Sequence, residues 1–381
     1  MHSYRKLAAA GAIAAAVSAV SAVTAAAAPP RHDTDRHFAY GAVFVQSDNT
    51  TANTVVAYGR APGGTLTEEG VYSSGGVGGQ LGGSVVDHLA SQDSLVYDRE
   101  QGLLFAVNAG SNTVSVFDVR GTQLLLAQVI NSGGTFPVSV AVHGDQLYVL
   151  NALGGGSLQG YYIAFGRLFP IAGSSRALGL SPTEVPQFTS TPGEVGFTPD
   201  GRQLVVTTKN NGDDIDVFGV DWLGRLSAAP VVNSEPNTVP FGFVFDPAGR
   251  LEVAEAGPSD VATFALESNG TVQLVTSLAT VQPATCWVTE DGSVLYASNA
   301  GGPSISSVSF VPWGSLTLLA TTATDKGTVD ATPSPDGRYL YVQAGGLGTV
   351  DEFSVGTGGS LTSIGSLPVP GGAGGEGIAA S

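Results

Sequence analysis

The chain has 381 residues, with 53 glycines and a net charge of −17. Nucleic acids and anionic membranes attract proteins through clustered basic side chains, so this acidic balance argues against both as partners. The single cysteine, Cys286, excludes an internal disulfide, and stability therefore has to come from a hydrophobic core. A chain of this length can bury such a core.

The amino end predicts an export signal. Arg5 and Lys6 precede an apolar, alanine-rich stretch that ends in small residues at 26–28. This pattern is typical of a cleavable secretory signal, and the stretch is too short and too rich in alanine for a membrane anchor. We expect a signal peptide over 1–28, a linker over 29–37, and a secreted protein without membrane insertion. Loss of the two basic residues takes the net charge from −17 to −19.

A repeated sequence motif predicts the fold. It is a polar turn ending in glycine between two short apolar runs, as in FTPDGRQLVV at 197–206 and PSPDGRYLYV at 333–342. Intervals of 42, 57, 48, 43 and 45 residues separate the turn glycines, which are Gly102, Gly144, Gly201, Gly249, Gly292 and Gly337. A period in the forties with alternating strands is typical of propeller blades. We predict an all-β, seven-bladed β-propeller with four-stranded antiparallel blades, forming a single domain over 38–381.

The count of blades predicts how the ring closes. First strands begin near residues 92, 137, 192, 240, 284 and 330. The seventh blade is split, because the amino end supplies strands at 38–45 and 54–60 while the carboxyl end (GEGIAAS) supplies a first strand with nothing after it. Joining the two ends completes the ring and removes open sheet edges.

Two segments depart from the period. The glycine-rich run at 76–83 has no Lys-Ser/Thr pair and no following helix, so it is not a phosphate-binding loop. The insert at 174–192 accounts for the 57-residue interval. A long loop of this kind is either a lid over the axial site or a surface insertion without a functional role.

The axial face is where a ligand site is expected. The starts of first strands and the ends of second strands converge there, on the face opposite the repeated turns. By this rule the candidate catalytic groups are Glu194, Lys209 and Glu255. The candidate ligand-binding residues are Gln92, Asn108, Asn151, Phe241, Trp287 and Asn299. A polar ring of this kind suits hydrogen bonding to a small polar ligand.

Each candidate also has a structural interpretation. An asparagine after a strand is an ordinary turn residue. Lys209 and a carboxylate such as Glu255 could form a structural ion pair. Trp287 could pack in the core rather than serve as a sugar platform, and Cys286 fits a buried, inert thiol. The histidines lack metal-ligand spacing, so neither a metal nor a cofactor is predicted.

The repeated SPDG–LYV–N–G motif resembles the repeats of the lactonase family of seven-bladed propellers. That family includes bacterial 6-phosphogluconolactonase and fungal carboxymuconate cyclase. The phrases at 89–98, 103–119 and 284–302 are similar to an uncharacterised exported branch of that family. The resemblance implies opening or closing of lactone rings by His, Glu and Arg groups at the axial face.

Those groups are replaced here. Where the family shows Pro-His, residues 192–194 are Pro-Gly-Glu, and where it shows Arg-His, residues 241–242 are Phe-Gly. The next blade has Thr285 and Trp287 in place of a Glu and a His. Because a general base needs a titratable group in position, these replacements weaken the case for the family's chemistry.

Two functions remain open. One is an exported, monomeric propeller that binds a small polar molecule, a glycan or a protein at its axial funnel. The other is a lactone hydrolase or cycloisomerase with Glu194 or Glu255 as base and Lys209 as the anchoring group. The missing His and Arg favour binding, whereas the polar groups at second-strand ends keep catalysis open.

Overall fold

The computed structural model describes residues 41–311 and 315–381. The predicted signal peptide (1–28) and linker (29–37) lie outside the described residues, as do residues 38–40. The described strands are β1 (Ala42–Gln46), β2 (Thr54–Arg60), β3 (Leu66–Ser73), β4 (Leu95–Asp98), β5 (Leu103–Asn108), β6 (Thr113–Arg120), β7 (Gln123–Asn131), β8 (Pro137–His143), β9 (Gln146–Asn151), β10 (Ser157–Ala164), β11 (Arg167–Pro170), β12 (Arg176–Ala177), β13 (Glu194–Phe197), β14 (Gln203–Thr207), β15 (Asp214–Gly219), β16 (Val231–Ser234), β17 (Pro240–Phe245), β18 (Leu251–Glu255), β19 (Asp260–Leu266), β20 (Val272–Ala279), β21 (Thr285–Asp291), β22 (Val294–Asn299), β23 (Ser304–Phe310), β24 (Leu316–Ala323), β25 (Thr328–Pro333), β26 (Tyr339–Ala344), β27 (Thr349–Val355), β28 (Leu361–Pro368) and β29 (Ile378–Ala380).

The described helices are short. One turn of α-helix, α1, covers Gln187–Ser190. Three 3₁₀ turns cover Ala109–Ser111, Lys209–Asn211 and Thr357–Gly359. Within the described residues, no helix has the length and apolar character that crossing a membrane requires.

The strands form seven antiparallel sheets, which are the seven predicted blades. Blade 1 has the order β29-β1-β2-β3, and blade 2 has β4-β5-β6-β7. Blade 3 consists of β8-β9-β10-β11, with β12 also paired to β10. Blades 4 to 7 are β13–β16, β17–β20, β21–β24 and β25–β28. The prediction of an all-β propeller with four-stranded blades is confirmed.

The two ends of the chain close the ring, as predicted. β29 pairs with β1, so that Val43 lies opposite Ala380 and Val45 lies opposite Ile378. The Ser381 backbone N–H then donates to the Ala42 carbonyl at 2.8 Å. Blade 1 therefore takes its inner strand from the carboxyl terminus, and β1, which would otherwise be an edge strand, is paired on both sides.

The repeated glycine is required by the turn between the first and second strands. Gly201 and Gly337 have φ values of 69° and 63°, the left-handed region that glycine adopts without a steric penalty. Their N–H groups donate to the carbonyls of Thr198 and Ser334, both at 2.8 Å. The repeated motif thus marks one tight hairpin in each of blades 2 to 7, whereas the first and second strands of blade 1 come from opposite ends of the chain.

Burial decreases from the inner strands to the outer strands. Every residue of β5, β22 and β26 is buried, whereas β24 alternates between half-buried and exposed residues. Tyrosines on second strands connect neighbouring blades: the Tyr148 hydroxyl donates to the Gly224 carbonyl at 2.6 Å, and the Tyr341 hydroxyl donates to the Gly64 carbonyl at 2.7 Å. The core thus lies between blades as well as within them.

Candidate functional site

A pocket of about 410 Å³ opens on the face where the second strands end. We call it the funnel pocket. The first strands of blades 5 and 6 form its floor with Phe241, Cys286 and Trp287, which are buried. Ala256 and Ala300, which directly follow second strands, form part of its wall. Its position is the one that the axial rule predicts.

The two segments that depart from the repeat meet over this pocket. They are the 74–94 loop, which joins β3 to β4 and contains the glycine-rich run at 76–83, and the 174–192 insert. The Gly82 N–H donates to Gln187 Oε1 at 2.8 Å, and the Phe188 N–H donates to the Gly82 carbonyl at 3.4 Å. Together they contribute to the lining Val85, Val86, Asp87, Ala90, Phe188 and Thr189. They form the cover of the funnel pocket.

Lys209 connects the cover to blade 4. It follows β14 at the start of a 3₁₀ turn and is fully buried. Its Nζ donates to the Ala90 carbonyl at 2.5 Å, to the Phe188 carbonyl at 2.8 Å and to Thr191 Oγ1 at 3.2 Å. All three N–H groups of the ammonium are therefore used, one for the 74–94 loop and two for the 174–192 insert.

The environment of Lys209 is unusual for a buried cation. None of the ion pairs found among the described residues includes it. Its Nζ lies instead 5.0 Å from the centroid of the Phe241 ring. Burial lowers the pKa of Lys209 to about 7, while the charges of Asp87 and Cys286 act in the opposite direction. The ammonium group of Lys209 is stabilised by the carbonyl groups of Ala90 and Phe188 and by the face of the Phe241 ring.

Asp87 also lines the funnel pocket, although it was not among the predicted site residues. Its Oδ1 accepts the Leu89 N–H at 2.7 Å, and its Oδ2 accepts the Ser91 N–H at 3.0 Å. Burial raises the pKa of Asp87 to about 6, opposed by these backbone hydrogen bonds and by Lys209. No motif marks this aspartate, since it lies in a loop that does not follow the blade period.

Glu194 lies outside the funnel pocket. Its Oε2 accepts the Phe243 N–H at 2.6 Å, and its carboxyl lies beside that of Asp93. Burial, together with the charge of Asp93, raises the pKa of Glu194 well above its usual range. Glu194 lines a second cavity of about 380 Å³, formed where first strands lead into the repeated turns. The structure does not bring Glu194 and Lys209 together.

Glu255, at the end of β18, also lies outside the lining of the funnel pocket. Its carboxyl is hydrogen-bonded to that of Asp260 on the neighbouring strand. Burial, and then the charge of Asp260, raise the pKa of Glu255 to about 8. Of the three candidate catalytic groups, Lys209 is the one that lines the pocket.

Gln92 joins strands near the axis. Its Nε2 donates to the carbonyls of Phe243 and Val288, both at 3.1 Å, and its Oε1 accepts the Val288 N–H at 3.0 Å. Gln92 precedes blade 2, whereas its partners are on the first strands of blades 5 and 6. The amide therefore holds three blades together.

The candidate asparagines occupy equivalent positions at the ends of second strands. They are fully buried and are Asn108, Asn151 and Asn299. Asn299 Nδ2 donates to Ser306 Oγ at 3.0 Å, and Asn108 Nδ2 donates to Ser115 Oγ at 2.8 Å. Asn108 also connects neighbouring blades, because its Oδ1 accepts from Asn53 Nδ2 and Ser74 Oγ beside the strands of blade 1. The lining of the funnel pocket does not include these carboxamides. Their assignment as ligand-binding residues stays a prediction.

Phe241 and Trp287 do line the pocket. Their ring centroids are 4.9 Å apart, and the ring planes meet at 60°, an edge-to-face arrangement. The Trp287 indole N–H donates to the Ser91 carbonyl. The neighbouring Cys286 is a thiol rather than a thiolate, because burial raises its pKa to about 12. The floor of the pocket is thus largely apolar and offers no nucleophilic sulfur.

These features define a β-propeller with a covered pocket on its axial face. The family described as "Lactonase, 7-bladed beta-propeller" matches residues 79–373. The chain therefore belongs to the lactonase family of seven-bladed β-propellers.

Solved structures show the same fold. A periplasmic gluconolactonase of Pseudomonas aeruginosa superposes with a TM-score of 0.69 at 17% identity, over 89% of this chain and 98% of that one. A Bacteroides fragilis protein, provisionally assigned as a 6-phosphogluconolactonase, gives 0.71 at 18% identity, over 90% and 98%. A Lactobacillus plantarum protein gives 0.70 at 19% identity, over 90% and 99%. A search of curated proteins found no match. At these identities the likeness establishes the fold and not the activity.

Proposed function

We propose that this lactonase-family propeller binds a small molecule in the funnel pocket and releases it chemically unchanged. The observation that carries the proposal is the pocket itself, which is lined mainly by apolar side chains beneath a two-segment cover. A cavity of about 410 Å³ is within the usual range for small-molecule sites.

The state of the ionisable lining groups favours binding over catalysis. Both carboxylate oxygens of Asp87 accept backbone N–H groups, and all three N–H groups of Lys209 have acceptors. A general base must take a proton from the substrate, so Lys209 would first have to give up a structural hydrogen bond. The Asp87 oxygens keep free lone pairs, but the backbone hydrogen bonds that they accept stabilise the carboxylate and weaken it as a base.

Lactone hydrolysis or cycloisomerisation is the second candidate. Membership of the lactonase family favours it, as does the pKa of Lys209, which burial lowers to about 7. An amine of that pKa is partly neutral at physiological pH and could take up a proton. In this alternative the Lys209 side chain must leave the Ala90 and Phe188 carbonyls when substrate enters.

A pocket-filling variant tests the proposed function. Ala256 is half-buried and lines the pocket, so Ala256→Trp places an indole in the space that a ligand would occupy. Leu319→Trp on the outer strand β24 is the matched control, because that position is exposed and does not line the pocket. Calorimetric titration with a panel of small molecules should find binding to the wild type and the control that Ala256→Trp abolishes. Equal binding by Ala256→Trp would place the ligand elsewhere and contradict the proposal.

We also propose that the protein is exported and monomeric. The basic pair, apolar stretch and small residues over 1–28 support export. Mass spectrometry of the protein recovered from a culture medium should show an amino terminus near residue 29, and light scattering should give the monomer mass. Retention of an intact amino terminus inside the cell would contradict export.

A further inference from the structure

The chemistry of the lining selects among small molecules. Resting on the proposed function, we infer that the funnel pocket takes an uncharged, largely apolar ring compound seated against Phe241 and Trp287. A phosphosugar or a sugar acid does not fit this lining.

The charges in the lining disfavour an anionic ligand. A charged ligand that leaves water needs a compensating charge or several strong hydrogen bonds in the site. Among the described lining residues, Asp87 and Lys209 are the acidic and basic side chains, and all three N–H groups of Lys209, which an anion would need, already donate within the protein. Drawing Lys209 towards an anion would leave the Ala90 and Phe188 carbonyls without their donor. An anion would therefore gain little binding free energy in this pocket. An uncharged molecule has no charge hydration to give up when it enters.

The lining has few side chains that could hydrogen-bond a sugar. A sugar buries several hydroxyls, and each unpaired hydroxyl costs binding free energy. The uncharged polar side chains that line the pocket near its mouth are those of Thr189, which is half-buried, and Asn210, which is exposed. They suffice for one or two polar groups at the outer end of a ligand. The ligand's polar part is thus small and directed towards solvent.

The floor of the pocket is aromatic. Phe241 and Trp287 meet edge to face, with centroids 4.9 Å apart, and present a corner against which a flat ring can pack. Apolar surface continues outwards to the mouth, where Val85 in the cover is 82% exposed. Floor, wall and mouth are therefore all suited to an apolar ring.

A matched pair of fluorescent probes tests the inference. N-phenyl-1-naphthylamine and 8-anilinonaphthalene-1-sulfonate share one ring skeleton, and the second carries an added sulfonate. Titrated into the mature protein, the neutral probe should bind at least tenfold more tightly than the sulfonate. Ala256→Trp should abolish binding of the neutral probe, and Leu319→Trp should retain it. 6-Phosphogluconate should not displace the neutral probe.

The alternative outcomes separate this inference from the proposed function. If the sulfonate binds as tightly as the neutral probe, or if 6-phosphogluconate binds in a manner that Ala256→Trp abolishes, the ligand class is wrong while small-molecule binding stands. If neither probe and no member of the panel binds, both are wrong. Binding of the neutral probe that is unaffected by Ala256→Trp overturns the assignment to this pocket.

Discussion

The Lys209 ammonium lies 5.0 Å from the centroid of the Phe241 ring, so a buried cation faces the aromatic floor of the funnel pocket. The same ammonium donates to the Ala90 and Phe188 carbonyls in the two cover segments. One side chain thus links the floor, the 74–94 loop and the 174–192 insert. Opening of the cover should depend on this link.

Lys209→Met should loosen the cover. The substitution keeps most of the side-chain stem but leaves the Ala90 and Phe188 carbonyls without their donor, at a cost of about 1–3 kcal/mol in local stability. Hydrogen exchange across 182–190 should therefore become roughly tenfold faster. Lys326→Met is the control, because the lysine it replaces is exposed. Exchange in Lys209→Met at the wild-type rate would show that the ammonium does not hold the cover.

Gln92→Leu should destabilise the whole ring. The leucine leaves the Phe243 carbonyl and both backbone groups of Val288 unpaired, which should lower the free energy of unfolding by roughly 2–4 kcal/mol. Denaturant titration measures this change. Gln101→Leu is the control, since Gln101 makes one exposed hydrogen bond to the Gly144 carbonyl. Equal stability of the two variants would contradict a bracing role for Gln92.

Stability should fall as the pH rises from about 5 to 8. Burial and Asp260 raise the pKa of Glu255 from its ordinary 4.5 to about 8, so the folded state binds a proton that the unfolded state releases. The resulting stabilisation is complete below the unfolded pKa and is lost as the pH approaches 8, an effect on the order of 3 kcal/mol. The buried carboxyls of Asp48 and Glu252, with pKa values raised to about 8 and about 7, act in the same direction.

Melting temperatures across this pH range provide the measurement. Glu255→Gln should flatten the dependence, because the amide can donate to Asp260 at every pH. Glu184→Gln, at an exposed position in the insert, should not change it. A wild-type melting temperature that increases between pH 5 and pH 8 would be incompatible with these buried carboxyls.

Cys286 should react slowly with thiol reagents. It is the only cysteine, it lines the funnel pocket, and burial raises its pKa to about 12. At pH 8 the reactive thiolate is therefore only about one part in 10⁴. Iodoacetamide labelling followed by mass spectrometry should be slower than for a free thiol, and slower again with a bound ligand. Labelling at the rate of a free thiol would contradict the closed cover.

The fold could be predicted from the sequence because its determinants are local. Each of these turns requires a glycine in the left-handed region, such as Gly201 or Gly337, so the spacing of the glycines in the sequence gives the blade period. The missing first strand at the amino end likewise indicated that the carboxyl terminus closes the ring. Phe241, Trp287 and Lys209 line the funnel pocket, because the blade period determines where strands begin and end, and their functional roles stay predictions.

The remainder of the site depends on contacts that the period does not describe. Asp87 and Phe188 reach the pocket from loops that are distant in the chain, and no repeat predicts their positions. The direction in which a side chain points could not be predicted from the repeat either. Asn299 is at a second-strand end as expected, but its amide is hydrogen-bonded to Ser304 and Ser306 within its own blade. Position along a strand does not determine whether a polar group faces the funnel or the neighbouring strand.

The chemical fate of a lactone tests the central claim most directly. Glucono-1,5-lactone, 6-phosphogluconolactone and the neutral aromatic lactone dihydrocoumarin are each followed by NMR in the presence of the purified mature protein. We expect all three to hydrolyse at the uncatalysed rate, with dihydrocoumarin bound by the protein but consumed no faster than in its absence. Turnover above that rate, lost in Lys209→Ala or in Glu194→Gln, would establish a lactonase and contradict it.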